Sequence, residues 1–202
     1  MTVQTHNFSA VILAGGQARR MGGTDKGLLR LNGKAMIEHV IEALEPQCDS
    51  IVINANRNHD EYRKFNCPVV ADLDKDFNGP LAGMAACMQA CSSEFILTLP
   101  CDSPVVAADY VERMFKVQSD TSAEICVARD ADRLQPVFCL IDCQLLDSML
   151  SYLASGQRKI DRWFSQHSLA EVDFSDHQQM FNNINTPDDL KNMEKELLRE
   201  TA

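Results

Sequence analysis

The sequence lacks several features that would have decided its class at once. No apolar stretch approaches the roughly 18 residues that a membrane-spanning helix needs. There is no excess of positive charge: 19 Lys and Arg face 29 Asp and Glu, a formal charge of −10. Non-specific nucleic-acid binding depends on lysine and arginine displacing counterions, so a nucleic-acid partner is not expected. The Walker pattern G-x-x-x-x-G-K-[ST] is missing, since Gly33-Lys34 is followed by Ala35. The dinucleotide pattern G-x-G-x-x-G is missing as well, which excludes a P-loop NTPase and a standard dinucleotide dehydrogenase. No C-x-x-C pair exists among the 8 cysteines, at 48, 67, 87, 91, 101, 126, 139 and 143, so the usual zinc spacing is absent. The start, MTVQTHNFSA, has no basic region followed by an apolar run, so a secretory leader is not expected. Most of the cysteines then read as small core residues in a reducing cytoplasm.

What remains is ordinary for a folded α/β protein. The 202 residues, 45% apolar and 24% charged, suit a single domain with its own core. Short apolar runs alternate with amphipathic stretches. Strands are expected at 8–14, 50–55, 69–71, 94–99, 124–128, 136–141 and 169–174. Helices are expected at 35–45, 80–90, 105–117, 142–154 and 158–166, with a last one opened by Thr186 as N-cap and Pro187 at its first position. This alternation predicts a three-layer α/β/α domain with a mainly parallel sheet. Ligands of such sheets sit beyond the carboxyl ends of the strands. The polar residues that follow the strands are therefore expected to converge: Gly15-Gly16, Asn56-Arg57, Asp72 and Cys101-Asp102.

The stretch LAGGQARRMGGTDKGL, residues 13–28, follows the first strand and holds five glycines, two arginines and one lysine. Glycines let the backbone approach a ligand closely, and successive N–H groups form an anion-binding concavity. Arg19, Arg20 and Lys26 concentrate positive charge there. On residue types alone, a flexible turn with solvated arginines is the competing reading. Asp102 likewise suits magnesium at a strand's end or an Asx turn before Pro104. Gly79 and Gly83 bracket a helix start that can hold an anion, or they serve a tight turn.

The segment AVILAGGQARRMGGTDKGLLRLNGKAMIEHV resembles the signature of nucleotidyltransferases, L-A-G-G-x-x-x-R-M-G followed by D-K and L-x-G-K. With INANR at 53–57, GPLAGM at 79–84, LPCDSP at 99–104, VDFSDH at 172–177 and NNINTPDDL at 182–190, the chain resembles the molybdenum cofactor guanylyltransferase (MobA) family over about residues 8–195. The resemblance implies a nucleotide-binding, Rossmann-like domain that transfers GMP from GTP to the terminal phosphate of molybdopterin. Pyrophosphate leaves, and magnesium is required. It divides the single domain, 1–202, into a nucleotide half at about 8–104 and a pterin half at about 105–200. It places Leu13, Ala14, Gly15, Gly16, Gly22, Lys26, Asn54, Asp72, Gly79, Gly83 and Asp102 at the nucleotide, with Asp102 on the metal. Lys26, Asp102 and Arg20 become the catalytic candidates, and the R-M-G pattern favours Arg20 over Arg19. Arg158 (or its neighbour Lys159), Asn183 and Asn185 are assigned to the pterin side. Expected partners are GTP, molybdopterin, the molybdenum-insertion enzyme and recipient molybdoenzymes, in the cytoplasm and away from membranes. Two alternatives stand beside this: a cytidylyltransferase of the same superfamily, acting on molybdopterin or methylerythritol phosphate, and a non-catalytic nucleotide-binding accessory protein.

Overall fold

Strand β1 (Phe8–Leu13) shows how the sheet is buried on both sides. Successive side chains of a strand point to opposite faces. Ala10 and Ile12 enter one core, while Val11 enters the other. Both faces are therefore apolar, and the strand reads as a continuous run rather than an alternation. The computed structural model describes residues 6–16, 25–73 and 79–200, with side chains through 196.

Within these residues the strands are β1, β2 (Arg30–Leu31), β3 (Lys34–Ala35), β4 (Ile51–Asn54), β5 (Val69–Val70), β6 (Phe95–Pro100), β7 (Ile125–Arg129), β8 (Leu134–Asp142) and β9 (Leu169–Asp173). The helices are α1 (Met36–Leu44), α2 (His59–Tyr62), α3 (Pro80–Ala90), α4 (Tyr110–Thr121), α5 (Leu146–Ala154), α6 (Ile160–Phe164) and α7 (Pro187–Glu200). The main sheet has the order β5-β4-β1-β6-β8-β7-β9. Only β8 runs against its neighbours, pairing antiparallel with β6 and β7. Helices α1 and α4 pack on one face with Tyr110, Phe138 and Phe174. Helices α3, α5 and α6 pack on the other around Trp163 and Met84. The architecture is the expected three-layer one.

Several local features differ from expectation, among them the short helix α2, for which no helix is expected. Helix α4 starts at Tyr110 rather than 105. Its entry is held from across the layer: the Gln47 amide donates to Ala107 O at 3.0 Å and accepts from Val111 N at 3.1 Å. The stretch before α5 is a 3₁₀ turn whose first free N–H, that of Gln144, donates to Asp142 Oδ1 at 2.8 Å. The hairpin β2–β3 was not expected at all. Asn32 and Gly33 both take positive φ, 49° and 84°, as the tight primed hairpin turn demands, and Asn-Gly is its strongest sequence signal.

Helix α7 begins as expected. Asp189 N donates to Thr186 Oγ1 at 3.1 Å, and Thr186 N returns a bond to Asp189 Oδ2 at 2.8 Å. Met193 of α7 and Ile184 before it bury themselves against Leu31 and Met36 in a small third core. That docking folds the end of the chain back onto the first half.

Candidate functional site

Four neighbouring parallel strands, β5-β4-β1-β6, end in register. Leu13 lies beside Asn54 on one side and Pro100 on the other, and Asn54 lies beside Val70. Ala14 N donates to Asn54 O at 2.8 Å, and Cys101 N donates to Leu13 O at 3.1 Å. The polar segments after these strands consequently share one edge, as the sequence predicts.

Lys26 and Asp102 meet there. Lys26 opens a 3₁₀ turn, Lys26–Leu28, and its Nζ lies 2.7 Å from Asp102 Oδ2. The same Nζ donates to Asn185 Oδ1 at 2.5 Å. Asn183, two residues earlier, accepts from Ser103 Oγ at 2.6 Å, and Ile184 N donates to Asp102 O at 2.9 Å. The segment before α7 is thus laced onto the loop that carries Asp102. Sequence reasoning placed Asn183 and Asn185 in the site; their direct link to Lys26 and Ser103 is a product of the α7 docking.

A second group surrounds Asp72. Its Oδ1 accepts from Asn54 Nδ2 at 2.9 Å and its Oδ2 from Asn56 Nδ2 at 2.8 Å. Asn54 also donates to Val70 O at 3.2 Å and is buried. Gly83 of α3 lies against it: a Cβ there would fall 2.2 Å from Asn54 Oδ1. Close approach, rather than a turn or an anion, explains this glycine. Gly79 differs, with φ of 112° at the entry to α3, a backbone conformation that glycine adopts readily. A Cβ on Gly15 would meet Asn56 Nδ2 at 3.1 Å, whereas Gly16 faces open space.

Asp25 forms a third group that sequence reasoning missed. It is 1% exposed and is paired with Arg57, while Asn58 Nδ2 donates to its Oδ2 at 2.8 Å. The D-K pair and the INANR segment contain these residues, but no pattern says that the aspartate points inward. Arg158 is placed by a different element, the turn between α5 and α6, where its Nη1 donates to Leu153 O and Gln157 O. Arg19, Arg20 and Gly22 lie outside the described residues. The cysteines form no disulfide. Burial pushes the Cys101 thiol well above its ordinary range, with the neighbouring Asp102 charge adding to the rise. A thiol so held does not act as a nucleophile at neutral pH.

A parallel sheet whose carboxyl edge gathers a lysine, a carboxylate and ordered amides beside a glycine-rich segment defines an α/β protein built to handle a phosphorylated ligand. The model of the MobA-like NTP transferase domain family matches residues 10–172, and the chain belongs to that family. Among curated relatives, a molybdenum cofactor guanylyltransferase of Shewanella sediminis is 45% identical over 95% of this chain and 98% of its own. Another of that name from Shewanella amazonensis is 47% identical over 94% of this chain and 97% of its own. The crystal structure of molybdopterin-guanine dinucleotide biosynthesis protein A from Archaeoglobus fulgidus shares the fold, with a TM-score of 0.80 at 24% identity, over 95% of this chain and 99% of that one. Among the described residues no helix is long and apolar enough to cross a membrane.

Proposed function

We infer that the chain is a molybdenum cofactor guanylyltransferase, transferring GMP from GTP to the terminal phosphate of molybdopterin. The observation that carries this is its identity with curated guanylyltransferases along nearly their whole length. The reaction forms a bond between a pterin phosphate oxygen and the α-phosphorus of GTP. It breaks the bond between the α-phosphorus and the bridging oxygen, and pyrophosphate takes the electron pair. There is little covalent work for the protein, so alignment and charge neutralisation dominate.

Lys26 is the group for the α-phosphate, where an ammonium offsets charge that grows in the transition state. Its bond to Asn185 supports a place for the Asn183–Asn185 segment at the incoming phosphate. Asn54 and Asp72, held by each other and by Asn56, suit contacts to the nucleoside, with Leu13, Ala14 and Gly15 beneath them. Arg20, Gly16, Gly22 and Gly79 complete the proposed phosphate loop and its rim. Arg158 adds charge at the pterin end. The nucleotide half is then about 8–104 and the pterin half about 105–200.

The site fits a divalent cation held jointly with substrate. Asp25 is committed to Arg57 and Asn58, and Asp72 to Asn54 and Asn56, whereas Asp102 meets only the Lys26 ammonium among the described side chains. No cluster of three or more metal-binding side chains occurs among the described residues. Magnesium uses one or two carboxylates together with substrate phosphates, so Asp102 would hold it. When bound, the ion withdraws charge from the phosphoryl oxygens. The proposed setting is the cytoplasm, with the molybdenum-insertion enzyme supplying the pterin and molybdoenzymes receiving the product.

Calorimetric titration with GTP, CTP and ATP, with and without magnesium, tests this reading. GTP is expected to bind selectively, and Asp102→Ala to abolish the magnesium dependence. Selective CTP binding would transfer the chain to the cytidylyltransferases. Failure of every nucleotide to bind would count against the transferase reading and against a nucleotide-binding accessory role alike.

A further inference from the structure

Arg57, the last residue of the INANR segment, takes no part in the chemistry above. It stands in the turn between β4 and α2. Its guanidinium is paired with the Asp25 carboxylate, and its Nη2 donates to Gly16 O at 3.3 Å. Gly16 and Asp25 are the residues that flank the 17–24 segment. One side chain therefore joins two points of the glycine-rich stretch, one just after β1 and one at the start of the turn that carries Lys26.

The consequence reaches Lys26 through a short path. Asp25 is 1% exposed, and its O accepts from Leu28 N at 3.0 Å, closing the turn that Lys26 opens. That turn lies directly on the strand end that carries Asp102: a Cβ on Gly27 would stand 3.3 Å from Cys101 Cβ and 3.0 Å from Tyr62 OH. The turn is packed closely against Cys101 and Tyr62, and Asp25, held by Arg57 and Asn58, anchors its first end.

We propose that Arg57 is a positioning residue for the transfer: by holding the Gly16 carbonyl and the Asp25 carboxylate together, it fixes where Lys26 stands relative to Asp102. This rests on the reading of Lys26 as the α-phosphate lysine. The plain structural role, a counter-charge for a buried aspartate, is separable from it. Lysine supplies the charge, but its point-like ammonium does not reproduce a planar fork spanning two acceptors.

The test is steady-state GMP transfer from GTP to molybdopterin by wild type, Arg57→Lys, Lys26→Ala and the double variant, with thermal midpoints alongside. Arg57→Lys is expected to stay folded, with kcat reduced about tenfold or more and KM for GTP little changed, because small misplacements of a catalytic group cost rate. In the Lys26→Ala background the same change is expected to cost less than about twofold, since residues acting through one another are not additive. Wild-type kcat in Arg57→Lys, or equal losses in both backgrounds, would overturn the proposal. Should Arg57→Lys fail to fold, the paired variant Asp25→Asn with Arg57→Gln strands no charge and is held to the same two criteria. A wild type unable to transfer GMP would remove the underlying reading and this inference together. An active wild type with an indifferent Arg57→Lys would remove the positioning role alone.

Discussion

Lys26 and Asn185 are 159 positions apart in the chain, yet Lys26 Nζ donates to Asn185 Oδ1 at 2.5 Å. The end of the sequence thereby completes a site begun by its first strand. Lysine's long stem needs such restraint, because an ammonium free to swing offers its charge to the wrong atom.

Asn185→Ala is accordingly expected to lower turnover by about tenfold, and Lys26→Ala by about 10² to 10³, the usual cost of losing a charge-stabilising donor. Pyrophosphate release under saturating GTP measures both. Equal activity of Lys26→Ala and wild type would show that the lysine has no part in the reaction.

Gly83→Ala tests the contact between α3 and β4. The new methyl group would overlap Asn54 Oδ1, whose amide is tied down by Val70 O and Asp72. Either the helix retreats or Asn54 turns away. A loss of about 1–3 kcal/mol is expected, as for other overpacked sites, with a raised KM for GTP. Denaturant titration reads the first and saturation kinetics the second; an unchanged KM would detach Asn54 from the nucleotide.

The layers of the fold were legible because β1, β4 and β6 are apolar on both faces, and the strand-end rule then located the edge of the site. What the sequence hid were the cross-links. Nothing in a linear reading says that Asp25 points inward to Arg57, that Gln47 caps α4, or that Gly83 is small because Asn54 lies beneath it. Each depends on elements brought together only by packing. The β2–β3 hairpin is a different case: Asn32-Gly33 carried the signal, and the apolar residues around it were too few to reveal the strands.

Cys101 adjoins Asp102, but its burial and raised pKa give it a packing role. Cys101→Ala is expected to retain turnover within about threefold while losing about 1–2 kcal/mol of stability, as for a small buried side chain. A collapse of kcat with an intact melting transition would assign the thiol a chemical task.

Arg113 of α4 grips Asp176 with two bonds of 2.7 Å and Asp109 with a third. The bonds from Arg113 hold the Asp176 carboxyl down at about 2, against roughly 3.9 for an unfolded chain. A depressed folded-state pKa means that the unfolded chain takes up the proton first. The stabilisation is therefore fully present above about pH 4 and is lost as pH falls towards 2. Asp173, Asp130 and Asp189 are shifted in the same direction by backbone N–H donors, so Asp176→Asn removes one share of a common trend. Urea midpoints of wild type and Asp176→Asn should differ most at pH 6 and converge as pH falls from about 4 towards 2. Screening by solvent keeps the difference small at this exposed pair, so its pH dependence is the decisive observation. A gap of constant size across that range would mean that the Arg113–Asp176 bonds contribute through geometry rather than charge.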